Sequence, residues 1–164
     1  MKFKNLVLTL GVLMMLAFTS MAAAAPSQVN RSMTAINAAK AEIPAVCELV
    51  GYNVDGDTSI ITFKDPNTLE RYVVDVNTAT AKVQKIEVKG ATFVMGSTMV
   101  TKTPDDIEKI VLKNYPNAYE IVITQGQDGN NIYYIADFLT DKFDGELKLD
   151  PVTGAICERE LEYF

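Results

Sequence analysis

The sequence predicts an α+β protein of two repeated units, each one helix followed by an antiparallel three- to four-stranded meander. Three observations predict it. Two stretches match in the same order: Pro44, Glu48 and Val50 fall over Pro116, Glu120 and Val122, and Asp75 and Thr78 fall over Asp150 and Thr153, with three extra residues in the second copy. Ahead of each matched proline, apolar residues recur at helical spacing. Behind each proline, short runs of β-forming residues alternate with clusters of Gly, Pro, Asn and Asp.

The chain begins with Lys2 and Lys4, an apolar or small run from Leu6 to Phe18, and the alanines Ala22 to Ala25, which is the order of a secretory signal peptide. The run is shorter than the roughly 20 residues that span a bilayer. It therefore reads as a removable leader over residues 1–24, cut before Ala25 rather than before Pro26, with no stable membrane insertion after its removal. The first unit covers residues 25–90. Met33, Ile36, Ala39 and Ile43 share one face of an alanine-rich helix between Ser32 and Ile43. Strands follow at Val46–Asn53, Thr58–Lys64, Arg71–Val76 and Lys82–Lys89, with turns at Asp55, Gly56, Asp57 and at Asp65, Pro66, Asn67. Residues 91–102 connect the units. Phe93, Val94, Met95 and Val100 make that segment too apolar for a flexible linker, so it is expected to pack or to extend a strand.

The second unit covers residues 103–164. Thr103, Pro104, Asp105 and Asp106 supply a cap, a proline where its missing N–H costs nothing, and acids at the positive end of the helix dipole. Ile107, Ile110, Val111 and Tyr115 then keep helical spacing, so a helix is expected from Pro104 to Asn114. Strands are expected at Tyr119–Gln125, Asn131–Leu139, Glu146–Leu149 and Ala155–Tyr163. Ile132, Tyr134, Ala136 and Phe138 share one face of the second of these, and Cys157, Leu161 and Tyr163 share one face of the last, opposite Glu158, Glu160 and Glu162.

Composition narrows the chemistry. The chain has no His and no Trp, which excludes Ser-His-Asp and Cys-His catalysis and His-based zinc sites. There is no glycine-rich phosphate loop, and no cofactor, metal or catalytic residue is expected. Removing Lys2 and Lys4 takes the formal net charge from −6 to −8, a balance that repels nucleic acid and anionic membranes and either favours a basic partner or simply keeps the domain soluble. Cys47 and Cys157 are candidates for one disulfide, which export permits. A buried free thiol is the other reading, and both stay open. Asp55 with Asp57, and Asp141 with Asp144, offer oxygen ligands without the spacing of a known calcium loop, and turn formation accounts for them. Glu48 and Glu120 hold equivalent positions and would make a carboxylate pair if the fold brought them together. A repeated structural role is the competing reading. Tyr72, Tyr133, Tyr134 and Phe138 are candidate partner contacts on strands, with core and cross-strand packing as the alternative. Because Tyr133 and Tyr134 are adjacent, one of them faces away from whatever the other faces.

A helix ending near a proline, an acid opening the next strand, and a strand closing in Asp, two residues, Thr and Gly resemble the PepSY domain. That domain is a small extracytoplasmic module of bacterial envelope proteins and of the propeptides of thermolysin-type metalloproteases. The closing signature here is Asp150, Pro151, Val152, Thr153, Gly154 in the second copy and Asp75, Val76, Asn77, Thr78, Ala79 in the first, which departs by placing Ala79 where Gly is expected. The two-copy layout is also similar to the β-lactamase inhibitory protein, a likeness of fold alone. The resemblance implies two PepSY-like repeats in an exported, non-enzymatic protein that binds another protein, with an extracytoplasmic protease as the partner. A cell-envelope scaffold without inhibitory activity is the alternative.

Overall fold

The computed structural model describes residues 28–90 and 96–164. The expected leader, residues 1–24, and Phe93, Val94 and Met95 of the connecting segment lie outside the described residues. The chain runs α1 (Gln28–Ala41), β1 (Glu48–Asp55), β2 (Thr58–Lys64), β3 (Arg71–Asn77), β4 (Val83–Lys89), α2 (Pro104–Asn114), β5 (Tyr119–Asp128), β6 (Asn131–Leu139), β7 (Phe143–Leu149) and β8 (Ile156–Tyr163). Among the described residues, these strands form one eight-stranded antiparallel sheet in the order β1-β2-β3-β4-β8-β7-β6-β5.

This sheet corrects the expectation of two repeated helix-plus-meander units. The described residues are mostly strand, and their architecture is a single sheet carrying two helices. The physical reason lies at the centre, where β4 and β8 pair antiparallel from Lys85↔Glu162 to Lys89↔Glu158. Neither half therefore ends in a free strand. One hydrophobic cluster runs from Ala35 and Phe63 through Val88 and Leu161 to Phe138 and Ile107, so the two halves also share one core.

Both helices lie on the same side of the sheet. α1 buries the small side chains Ala35 and Ala39 and packs on β2 and β3. It ends at Ala41, before the expected Ile43, because the residue preceding Pro44 is pushed out of the helical region. α2 buries Ile107 and Val111 and packs on β5 and β6. Its start has the expected chemistry: Asp106 N–H donates to the Thr103 hydroxyl at 3.3 Å while the Asp106 carboxylate accepts from Thr103 N–H at 3.0 Å. Beneath α2's end, Tyr115, Phe138, Phe143 and Tyr163 form a row of ring contacts at 4.7, 5.9, 6.3 and 5.4 Å that carries packing across to β8. In the described part of the connecting segment, Ser97 bridges Ile132 through two backbone hydrogen bonds of 2.9 and 2.8 Å.

Three of the hairpins share one five-residue turn. In Asp150–Gly154, the Asp150 carboxylate accepts from the backbone N–H groups of Val152 and Thr153 at 3.0 and 2.7 Å, and Gly154, at φ 75°, donates its N–H to the Asp150 carbonyl. Asp65 does the same for Asn67 and Thr68, with Leu69 at φ 62°. Between β3 and β4 the equivalent residues are Asn77 to Ala81. Asn77 accepts from Ala79 and Thr80, and Ala81 stands at φ 55°. This turn lies two residues beyond the expected Asp75 to Ala79. The shift follows from where a side-chain oxygen can cap the loop: Asp75 is still paired within the ladder, opposite Lys85.

Only one of the three turns has glycine at the left-handed position, where a Cβ costs roughly 1–2 kcal/mol. Ala81→Gly and Leu69→Gly are therefore expected to raise stability by about 1 kcal/mol each. Gly154→Ala is expected to lower it, because the new Cβ also lies 2.5 Å from Ile110 Cδ1. Urea midpoints of the three variants check this, and a fall on Ala81→Gly would refute the account of the turn.

Candidate functional site

Strand alternation divides the sheet into two faces of different chemistry. The helix side is apolar: Ile61 and Phe63, Val74 and Val76, Ala136 and Phe138, and Leu147 and Leu149 are all buried. Following the register outward from Asp75↔Lys85↔Glu162 and Glu87↔Glu160↔Glu146 places the charged residues of the central strands on the opposite face, except Arg159, which falls on the helix side between Val88 and Leu147. Among the described residues, no helix covers that face.

At its centre is a ladder of ion pairs. Lys85 on β4 reaches Glu160 on β8 in a short contact and Glu162 at 3.8 Å. Lys89 lies 2.6 Å from Glu87 and 3.6 Å from Glu158. Lys148 on β7 lies 3.2 Å from Glu158 and 3.6 Å from Glu146. Glu158, buried on the central strand, thus takes one lysine from each side. The sequence pattern placed it correctly opposite Leu161 but could not show that it is enclosed by Lys89 and Lys148. The more exposed pairs, such as Lys85 with Glu162, are worth roughly 0–1 kcal/mol each, whereas burying one large apolar side chain is worth about 1.5–3 kcal/mol. The core therefore supplies the stability, and the ladder fixes which strand lies beside which.

Carboxylates outnumber cations on this face. Besides those in the ladder, Asp75, Asp137 and Asp144 stand there, and Arg71 with its cross-strand neighbour Lys64 adds two cations. Burial pushes the Asp75 carboxyl up, with Lys85 opposing. The Glu160 hydrogen bond holds Lys85 above its ordinary value despite burial, and that of Glu87 does the same for Lys89. The Lys89 hydrogen bond in turn holds Glu87 low. On either side of the ladder the face becomes aliphatic, through Ile60 and Val73 on one flank and Ile135 on the other; all three are half-buried.

The four aromatic residues singled out from the sequence separate by face. Tyr72 is buried on the helix side and donates its hydroxyl to Glu70 at 2.9 Å. Tyr134 is buried on the same side and donates to the Lys102 carbonyl at 2.8 Å. Phe138 is buried against Tyr115. Packing accounts for all three. Tyr133 stands on the open face, where its half-exposed ring lies across Gly126, at a spot that a Cβ on that residue would fill.

Cys47 and Cys157 are free thiols in this structure. Burial raises Cys47, with the charges of Asp65 and Glu70 adding to the effect, and burial with the Asp150 charge raises Cys157. Both are thus kept protonated and weakly nucleophilic. Glu48 and Glu120 lie on β1 and β5, the two opposite ends of the sheet, so the fold does not bring them together as a carboxylate pair. Glu120 sits at φ 52° in the bulge at the start of β5, a structural place. Asp55 and Asp57 flank the Gly56 turn. Among the described residues, no three His, Cys, Asp or Glu side chains group as a metal ion would require. No described helix is long and apolar enough to cross a membrane.

No family model matches the chain, and no curated protein matches it. Two solved structures are similar to it. One is a predicted lipoprotein of Clostridium difficile 630, 16% identical, covering 80% of this chain and 92% of its own at a TM-score of 0.32. The other is a BLIP-like protein of Bacteroides fragilis NCTC 9343, 11% identical, covering 79% of this chain and 84% of its own at a TM-score of 0.33.

The ladder fixes a pH response. Glu87, held low, contributes stability that is full above its ordinary 4.5 and is lost as pH falls through its folded value. Lys85 and Lys89, held high, contribute stability present below their ordinary 10.5 and lost as pH rises through their folded values. Asp75 has the opposite sign: protonating it in acid relieves a cost. Urea midpoints measured against pH are expected to show an acid limb that Glu87→Gln flattens. An unchanged acid limb in that variant would refute the role given to the Lys89 contact.

Proposed function

We propose that this chain is an exported, non-enzymatic protein that binds another protein through the open face of its sheet. An extracytoplasmic protease is the first partner class to test. The observation that carries the reading is the uncovered face itself: a rigid antiparallel surface, carboxylate-rich at its centre and aliphatic at its flanks. Such a surface complements a cationic patch bordered by apolar side chains, and its charge would act mainly on encounter rate and partner choice. Export is supported by the basic start, apolar run and small-residue end of residues 1–24. The protease partner is supported by the PepSY-like turn at Asp150 to Gly154 and the helix that closes ahead of Pro116. The absence of His from the sequence argues against most acid–base catalysis. Action would be steric, with the sheet covering a cleft.

The experiment is capture from the producing organism's exported proteins on the chain from Ala25 onward, followed by turnover assays on any protease recovered. The expected result is a protease slowed by the chain, with binding weakened by salt and by Glu160→Lys with Glu162→Lys. Recovery of wall or envelope components with no protease affected would overturn the inhibitor reading in favour of a scaffold. Binding indifferent to those two substitutions would overturn the open face as the contact surface.

A further inference from the structure

Exposed apolar side chains concentrate along one edge of the molecule, at Val29 and Met33 of α1 and Leu49, Val50, Tyr52 and Val54 of β1. The strand at the opposite edge, β5, exposes only Tyr119 and Val122 as large apolar side chains. Among the described residues, β1 also presents a row of backbone N–H and C=O groups with no strand beside it on that side. It contains neither Pro nor Lys, the residues that commonly blunt an edge. Past its bulge at Leu49 and Gly51, the register with β2 runs unbroken to Asp55, so Gly51–Asp55 is a regular template.

We propose that β1 pairs antiparallel with β1 of a second copy of this chain, about a two-fold axis at Asn53. The sequence of the strand selects both the occupant and the register. A two-fold at Asn53 sets Tyr52 opposite the partner's Val54 and Val54 opposite the partner's Tyr52, two aromatic to β-branched pairs of the kind that stabilise a ladder. Asp55 falls opposite the partner's Gly51, so no acid faces an acid. Tyr52 and Val54 stand on the helix side, opposite the buried Ile61 and Ser59. There they line, with Val29 and Arg31, an open cleft of about 520 Å³. That cleft gives the partner's Tyr52 and Val54 somewhere to bury. The two sheets become continuous, with all helices on one side and both charged faces left free.

The test is sedimentation equilibrium of the chain from Ala25 onward over a wide concentration range. The expected result is a reversible change from one to two chain masses, with dissociation at least about tenfold easier in Val54→Lys. Mixing the Val54→Lys chain with a Tyr52→Glu chain is expected to restore dimers of mixed composition, since the paired register sets the two new charges side by side. Circular dichroism separates loss of pairing from loss of fold. If a variant unfolds, cross-linking of an otherwise unchanged Asn53→Cys chain reads the axis directly. A single chain mass at every concentration, a dimer indifferent to Val54→Lys, or a monomer whose edge takes an unrelated extended peptide instead would each overturn the proposal.

Discussion

The pairing of β4 with β8 is the constraint on which the rest of the molecule depends. Each is the last strand of its half, and had either been left unpaired the protein would carry bare edges at its middle as well as at its ends. Five residue pairs close that seam. On the open side the seam is held by Lys85 and Lys89 reaching Glu160 and Glu158, and on the apolar side Ile86 and Val88 meet Leu161 in the shared core. Because burial of apolar surface is worth more than exposed charge pairs, the seam is stable through its inner face and specific through its outer one. A one-residue slip would turn Leu161 to water and Glu158 or Glu160 into the core.

The same seam explains why the two faces differ. Helices α1 and α2 each pack on the strands of their own half, away from the centre, so the apolar side is covered from both ends. The central strands meet water on the other side, and there the chain places alternating Lys and Glu. Glu158 shows how closely this is arranged: it is buried although charged, and it is tolerated because a lysine from β4 and another from β7 converge on it.

Much of this was legible as local pattern. Thr103 and Asp106 announced the start of α2, Pro116 its end, and the alternation from Ile132 to Phe138 identified which residues of β6 turn inward. What could not be read was anything decided between distant segments. Periodicity shows that Lys85 and Glu160 each face outward, not that they meet. The matched prolines and aspartates suggested repeated units, but a match along the chain is silent on whether two meanders share an edge. The turn at Asn77 was misplaced because Asp75 and Asn77 are both side chains that cap loops, and only the pairing of Asp75 with Lys85 shows which one does. For the candidate site, alternation required Tyr133 and Tyr134 to part. It took the position of the helices to show that Tyr133 is the one left in the open.

The order of the strands also has a kinetic side. β8 is central in space but follows β5, β6 and β7 in the chain, and its partner β4 was made much earlier. The contacts across the seam join residues as far apart as Lys85 and Glu162, whereas the hairpins on either side close over a few residues. Loop-closure cost grows with such separation, and long-range strand pairing is slow. As the chain emerges N-terminus first, β4 therefore waits as a bare edge until β8 arrives. During that interval this unfinished edge adds to the standing edge at β1 a second place where wrong partners have an opportunity.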